Sequence, residues 1–144
     1  MGEMPERVDD NCIFCKIIAG DIPSAKVYED ETVLAFMNLQ QKNPGHTLVI
    51  PKEHYPNVYE IPDELVGYIA QIAARIARVV KTQFGAAGIN ILQNNDPAAM
   101  QSVFHFHSHV IPRYAGDDLL AIWRSAPATP EELSANAEKI RAGL

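Results

Sequence analysis

Hydrophobic residues along the chain follow the helical period most clearly between residues 62 and 84. They recur there at intervals of three and four residues, which is typical of a helix with one buried face. Pro62 suits the first turn of such a helix, and Gly85 suits the position just after its end. The pattern predicts one long helix over 62–84 whose core-facing residues are Leu65, Ile69, Ile72, Ile76, Val79 and Val80.

Shorter apolar segments, separated by turn residues, predict the rest of the fold. Runs rich in β-branched and aromatic residues predict strands at 26–29, 32–38, 46–50, 88–92 and 103–111. An apolar segment at 12–19 ends at Gly20. Thr129, Pro130 and Glu132 have the spacing of a capping box that opens a C-terminal helix. Short connections favour antiparallel pairing, so the predicted class is α+β.

Length and charge restrict the classes of protein to consider. The 144 residues fit one domain, which we place at 11–144, with a flexible arm at 1–10 and a C-terminal tail at 118–144. The net charge of −6 argues against an extended nucleic-acid or membrane surface. No apolar run approaches a membrane span, and the polar N-terminus does not resemble a signal peptide. We therefore expect a cytoplasmic protein.

Three of the five histidines alternate along the chain, at positions 105, 107 and 109. In a strand they would share one face at intervals of about 6.6 Å. Phe104, Phe106, Ser108 and Val110 would then face the other way, into the core. Metal binding, proton transfer and phosphate binding all use several imidazoles, and a purely structural strand has no need of three. The sequence therefore predicts a functional site on this strand.

These residues give the chain a specific resemblance. The run His105-Phe106-His107-Ser108-His109-Val110-Ile111 resembles the His-φ-His-φ-His-φ-φ signature of the histidine triad family, although Ser108 is not apolar. Residues 12–17, 22–24 and 43–54 resemble the family's N-terminal and central motifs, and the likeness extends over about 11–117. Within that family, the chain most resembles the Hint-like bacterial branch. The resemblance implies an antiparallel sheet with one long helix and a C-terminal helix.

The resemblance also implies a covalent mechanism at the α-phosphorus of a nucleotide. His107 would be the nucleophile, held in the right tautomer by a backbone carbonyl, and would form a nucleotidyl-histidine intermediate. His109 would stabilise the charge that develops on the phosphate, and His46 would support this network. Ser102 would hydrogen-bond the phosphate or the leaving group. No divalent metal is required for this chemistry.

The family's nucleotide pocket maps onto a further set of positions. The base would lie among Ile13, Phe14, Ile17, Phe36 and Leu39, and the complete nucleotide-binding set adds Asn38, Asn94, Gln101, Ser102, His107 and His109. Three positions depart from the pattern. Asn38 replaces the aspartate that binds the ribose in many relatives, and Asp96 and Met100 stand where glycine is common.

Cys12 and Cys15 have the spacing of half a metal site. Together with His54 and His105, as in bacterial relatives with this N-terminus, they would form a tetrahedral set for a structural zinc ion. A redox pair is the alternative, but no strand precedes the cysteines as thioredoxin-like proteins require.

Several functions remain open at this stage. The leading one is a phosphoramidase acting on purine nucleoside monophosphate conjugates, which Asn94 and Ser102 favour. A dinucleoside polyphosphate hydrolase is the second, favoured by the residues after His109. A nucleotide-binding regulator with little turnover is the third. A protein that only binds metal would leave His46, His107 and His109 unexplained.

The family is dimeric, and the resemblance implies a homodimer in which the sheets of two copies become continuous. The long helix and one strand would meet across that interface. C-terminal residues of relatives often reach the partner's site. We therefore expect Trp123 or Arg124 to tune specificity in that way.

Overall fold

A computed structural model describes residues 4–117 and 126–144. The helices are α1 at Ile13–Ala19, α2 at Asp63–Gln83 and α3 at Pro130–Gly143, with one 3-10 turn at Pro97–Ala99. The strands are β1 at Lys26–Glu29, β2 at Val33–Met37, β3 at Thr47–Pro51, β4 at Gly88–Gln93 and β5 at Ser108–Arg113.

The five strands form one antiparallel sheet in the order β1-β2-β3-β5-β4. Helix α2 packs on one face through a core cluster that includes Ile69, Ile72 and Val49. Helix α1 packs in a second cluster with Leu34, Leu48 and Ile50. Neighbouring residues of β2 and β3 thus point into different clusters, as alternation along a strand requires. The predicted α+β class is confirmed.

Local signals placed both predicted helices correctly. Helix α2 begins after Pro62 and ends at Gln83, within one residue of the predicted bounds, and Gly85 follows with a φ of 62°. Thr129 and Glu132 form the predicted capping box. Val79 is the exception on the predicted buried face. Val79 is 59% exposed because it borders an open cavity between α2 and the sheet, together with Val27 and Met37.

The strand predicted at 103–111 begins five residues later than expected. Residues 103–107 lie outside β5, and Phe104 is half exposed rather than buried. The backbone of this segment is bonded to a loop instead of a strand, since the Phe106 N–H donates to the Tyr55 carbonyl at 2.6 Å. The Gln101 amide also donates to the Pro56 carbonyl. The prediction of one strand for all three imidazoles is therefore wrong, since only His109 lies in β5. The predicted alternation of faces persists: Phe106 and Val110 pack in the α2 cluster, whereas His105 and His107 contact Phe14 of the second cluster.

The ends of the chain differ in their contacts. In the segment predicted as a flexible arm, the N–H groups of Glu6 and Arg7 donate to the Glu53 carboxylate, and His54 N–H donates to the Arg7 carbonyl. Helix α3 is almost entirely exposed, including Ile140. Trp123 and Arg124 lie outside the described residues. None of the described helices has the length and apolar content needed to cross a bilayer.

Candidate active site and metal cluster

His107 is buried, and its tautomer follows from one hydrogen bond. Its Nδ1 lies 2.7 Å from the His105 carbonyl oxygen, which can only accept. Nδ1 therefore carries the proton, and the Nε2 lone pair is free. Burial lowers the pKa of His107, which favours the neutral ring. A neutral imidazole with a free Nε2 lone pair is a competent nucleophile.

His46 and His109 form a second, oppositely arranged pair. The Lys42 backbone N–H donates to His46 Nδ1 at 3.2 Å, so the proton of neutral His46 is on Nε2. That Nε2 lies 2.9 Å from His109 Nδ1 and donates to it. His109 consequently carries its own proton on Nε2. Burial lowers the pKa values of His46 and His109 to about 4 and about 3, which keeps both rings neutral.

Two adjacent rings of the triad thus have different roles available. The ring centroids of His107 and His109 are 4.9 Å apart. His107 offers a lone pair on Nε2, and His109 offers an N–H donor on Nε2. A nucleophile beside a fixed hydrogen-bond donor is the arrangement that a displacement at a charged phosphorus needs.

A mostly apolar cavity of about 290 Å³ opens beside His107. Helix α1 supplies Ile13, Phe14 and Ile17, and strand β2 supplies Phe36, so a short helix and a sheet face form its walls. All five residues predicted for the base line it, together with Asn38, Ser102, His107 and His109. Its shape and polarity suit a flat, largely apolar ring with a polar group at one end.

A second cavity of about 400 Å³ adjoins the first at His109. His46 and Asn94 line only the second cavity, while five residues line both: Asn38, Leu39, Gln40, Ser102 and His109. The sequence analysis did not identify four of the residues that line the second cavity: Gln40, Lys42, Leu92 and Ile111. Lys42 carried no signal, because it lies in a segment that reads as an ordinary polar loop.

Gln101 is not among the described residues that line either cavity. Its Nε2 donates to the carbonyls of Pro56 and Val103, and its Oε1 accepts from the Asp96 N–H at 2.8 Å. The side chain therefore holds the loop before the triad in place. The position of Gln101 therefore does not support the prediction that it contacts a nucleotide directly.

The turn that borders the second cavity contains two residues with positive φ. Met100 has a φ of 72° in the left-handed region, and Asp96 combines a φ of 76° with a ψ of 154°. The conformation of Asp96 is one that glycine alone adopts without strain. The positions where the family often has glycine therefore keep a glycine-like backbone in this chain.

Replacing Asp96 by glycine is expected to raise the free energy of unfolding by about 1 kcal/mol, because relief of strain exceeds the loss of an exposed hydrogen bond. That bond joins Tyr59 Oη to Asp96 Oδ2 at 2.8 Å. Urea unfolding checks the change. Asp96→Ala, which loses the same bond but keeps Cβ, is the control, and equal stabilities of the two variants would contradict the assignment of strain.

The free energy of unfolding should fall in mild acid, because His46 takes up a proton more readily in the unfolded chain. The folded pKa of His46, about 4, lies below the value of about 6.5 for an unfolded imidazole. The stabilisation is present above pH 6.5 and is lost as the pH falls towards 4, since the unfolded chain takes up the proton first. We expect about 2 kcal/mol of loss from His46 between pH 7 and pH 5.

Urea unfolding of the wild type and of His46→Gln at both pH values isolates this contribution. The variant should lose less stability than the wild type, since its residue 46 does not titrate. An equal loss in both proteins would mean that His46 is not held neutral by the fold.

Cys12, Cys15, His54 and His105 form a compact cluster on the far side of Phe14, and their ligand atoms all lie within 4.8 Å of one another. The Nδ1 atoms of the two histidines are 3.2 Å apart. Cys12 Sγ lies 3.4 Å from His105 Nδ1, and Cys15 Sγ lies 3.3 Å from His54 Nδ1. Ligands of a tetrahedral zinc ion are separated by about 3.3–3.8 Å, so the spacing fits zinc.

The surroundings of the cluster orient its ligands. His105 Nε2 donates to the Pro51 carbonyl at 2.8 Å, which leaves the Nδ1 lone pair pointing at the sulfurs. Burial lowers the pKa of His105 to about 4, and burial raises the pKa of the Cys15 thiol to about 11. A neutral imidazole is ready to bind a metal, whereas a buried thiol needs the metal's charge to release its proton.

Phe14 separates the metal cluster from the nucleophile. Its ring packs edge-on against His105 and His107, with centroids 5.8 Å and 5.1 Å away. The alternating histidines are therefore divided between two sites: His105 belongs to the cluster, and His107 and His109 to the cavities. This division is the one that the resemblance implied, with His105 as a metal ligand and His107 and His109 at the phosphate.

The chain matches known proteins over most of its length. The family model for the HIT domain matches residues 19–116. Protein hit of Bacillus subtilis is 57% identical over 117 residues, which is 81% of this chain and 81% of that protein. Adenosine 5'-monophosphoramidase hnt1 of Schizosaccharomyces pombe is 40% identical over 131 residues, covering 90% of this chain and 96% of the relative.

Solved structures agree with this likeness. A HIT family protein from Bacillus subtilis superposes with a TM-score of 0.89 at 51% identity, covering 94% of this chain and 98% of that chain. A zinc-bound histidine triad protein from Mycobacterium smegmatis gives a TM-score of 0.73 at 38% identity, covering 93% of this chain and 98% of its own. The protein described above is therefore a member of the histidine triad (HIT) family.

Proposed function

We propose that the chain is a nucleotide hydrolase or transferase that attacks the α-phosphorus of a purine nucleoside phosphoramidate. The observation that carries this proposal is the pair of opposite tautomers in adjacent rings: His107 has a free Nε2 lone pair, and His109 has an Nε2–H donor. The name of the S. pombe relative, an adenosine 5'-monophosphoramidase, supports the same class of substrate.

The reaction takes two displacements. The His107 Nε2 lone pair bonds to phosphorus as the P–N bond to the leaving amine breaks. The amine takes the bonding pair and a proton from the Ser102 hydroxyl, which is itself reprotonated by solvent. Water then attacks phosphorus and releases one proton, while the pair of the histidine–phosphorus bond returns to Nε2. The products are the nucleoside monophosphate and the amine. The His105 carbonyl stabilises the positive ring of the intermediate through Nδ1–H.

The nucleoside would bind in the apolar cavity, with the base between the α1 residues and Phe36. Asn38 lies where the ribose hydroxyls would reach, and its amide can both accept and donate a hydrogen bond. It lacks the charge of an aspartate, so we expect weaker ribose binding than an aspartate would give. The phosphate would then lie between His107, His109 and Ser102.

The cysteine and histidine cluster would hold a structural zinc ion. Its donor set, its distances and the zinc-bound relative support this assignment. The metal would tie α1, which forms one wall of the base cavity, to the segment that carries the triad. It would take no direct part in the displacement.

We further propose that two copies associate through β4 and α2. Strand β4 is a six-residue edge of the sheet, and Ile91 on it is 49% exposed. Val79 and Phe84 at the end of α2 are similarly exposed. Light scattering on the purified protein tests this: a dimer that Ile91→Glu dissociates is expected, and a monomeric wild type would contradict it. The cytoplasmic location and the domain bounds stay predictions.

Competing substrates test the proposed activity. An adenosine 5'-phosphoramidate and diadenosine polyphosphates are supplied separately, and kcat/KM is measured for each. Faster cleavage of the P–N bond is expected. Preference for the polyphosphates would select the second hypothesis with the same nucleophile, and nucleotide binding without turnover would select the regulator.

A further inference from the structure

One charged side chain among the described residues lines the active site, in its second cavity. Of the described residues that form the walls of the two cavities, only Lys42 carries a formal charge when the histidines are neutral. None of the ion pairs among the described residues involves Lys42. Its backbone N–H donates to His46 Nδ1, which leaves its ammonium group available to a ligand.

The position of the cavity that Lys42 lines fits the departure side of the proposed reaction. His107, His109 and Ile111 succeed one another along the chain in steps of two residues, which span about 6.6 Å each in extended backbone. The base cavity includes His107 and His109, whereas the second cavity includes His109 and Ile111. A leaving group departs opposite to its nucleophile. The two cavities share Ser102 and His109, but His107 lines only the first and Lys42 only the second. If phosphorus lies beside His109, attack from His107 would expel the leaving group towards the second cavity.

The charge of Lys42 acts on the surrounding groups across this cavity. It contributes to lowering the pKa values of both His46 and His109, after the larger effect of burial. The neighbouring wall residues Asn94 and Ser102 are polar but neutral. The second cavity is therefore a neutral, hydrogen-bonding pocket with one positive charge at its exposed side.

We infer that Lys42 selects leaving groups that carry a negative charge, with an oxyanion such as a carboxylate or sulfonate at the end away from phosphorus. This inference rests on the proposed function, because it concerns the group that His107 displaces. The expected preference is about fivefold in kcat/KM, which is the effect of one partly exposed ion pair. It should weaken as salt is added, since exposed charges are screened.

Three adenosine phosphoramidates test the inference: those of γ-aminobutyrate, of its neutral amide, and of the sulfonate analogue with the same chain length. The wild type, Lys42→Met and Lys42→Arg are compared by the ratio of kcat/KM between each acid and the amide. Using a ratio cancels any effect of Lys42 on the imidazoles, because the same nucleophile attacks all three compounds. Lys26→Met, which removes a lysine that lines neither cavity, is the control.

The wild type, Lys42→Arg and Lys26→Met should cleave both acids with a higher kcat/KM than the amide. This preference should vanish in Lys42→Met. A ratio that is the same in the wild type and Lys42→Met would overturn the inference, and so would a preference for the carboxylate alone. Failure of the proposed function has a different signature: none of the compounds would be cleaved, or His107→Ala would cleave them as fast as the wild type.

Discussion

Replacing His107 by alanine is expected to lower kcat/KM for an adenosine phosphoramidate by about six orders of magnitude, as loss of the nucleophile does in a well-studied covalent enzyme. The reason is geometric. His107 is the ring whose Nδ1 proton is fixed by a backbone carbonyl, so its Nε2 lone pair faces the cavity. His109 cannot replace it, because its Nδ1 accepts from His46 and its Nε2 carries the proton.

Steady-state kinetics on the purified variant checks this expectation, with zinc content and far-UV circular dichroism as controls of the fold. Both controls should be unchanged, since His107 lies outside the metal cluster. His107→Gln, which keeps most of the buried volume, should be as inactive as the alanine variant. If either variant kept activity within tenfold of the wild type, the nucleophile would have to be another group.

Removing the metal is expected to have the largest effect on stability. A ligand present at a thousand times its Kd stabilises the folded state by about 4 kcal/mol when it binds only that state. We therefore expect a strong chelator to lower the free energy of unfolding by up to about 4 kcal/mol. The same loss is expected for His54→Gln, which removes one ligand at the edge of the cluster. Denaturant unfolding with and without chelator measures both.

The two histidine sites provide matched variants for this test. His46→Gln changes a buried histidine of the active site and should keep one zinc per chain while activity falls. His54→Gln should lose the zinc and become insensitive to chelator. Should the wild type contain no zinc after growth and purification with the metal, or the chelator leave its stability unchanged, the cluster would not be a structural zinc site.

The sequence predicted the parts of the fold that depend on local interactions. The period of α2, the glycine after it and the capping box at Thr129 each act within a few residues, and the structure has all three. The start of β5 depends instead on a distant loop. The backbone of Phe106 bonds to Tyr55, about fifty residues earlier in the chain, and periodicity carries no information about that contact.

The same distinction applies to the site. Motif spacing selected histidines and cysteines that the structure brings together, but it could not show that Phe14 separates His105 from His107. Nor could it show that Gln101 is fully used in holding its own loop, or that Lys42 reaches the second cavity. These features result from packing between segments far apart in sequence. The sequence shows that Asp96 and Met100 stand where the family often has glycine. Only the backbone angles show that both residues adopt a positive φ.

In the proposed mechanism, the nucleotide is transferred to His107 before water releases it. The most direct measurement quenches the wild type in base during steady-state turnover of an adenosine phosphoramidate and maps the modified peptide by mass spectrometry. We expect an adenylyl group on His107 in the wild type and none in His107→Ala. A nucleotide attached to another residue, or turnover with unmodified enzyme and inversion of configuration at phosphorus, would contradict it.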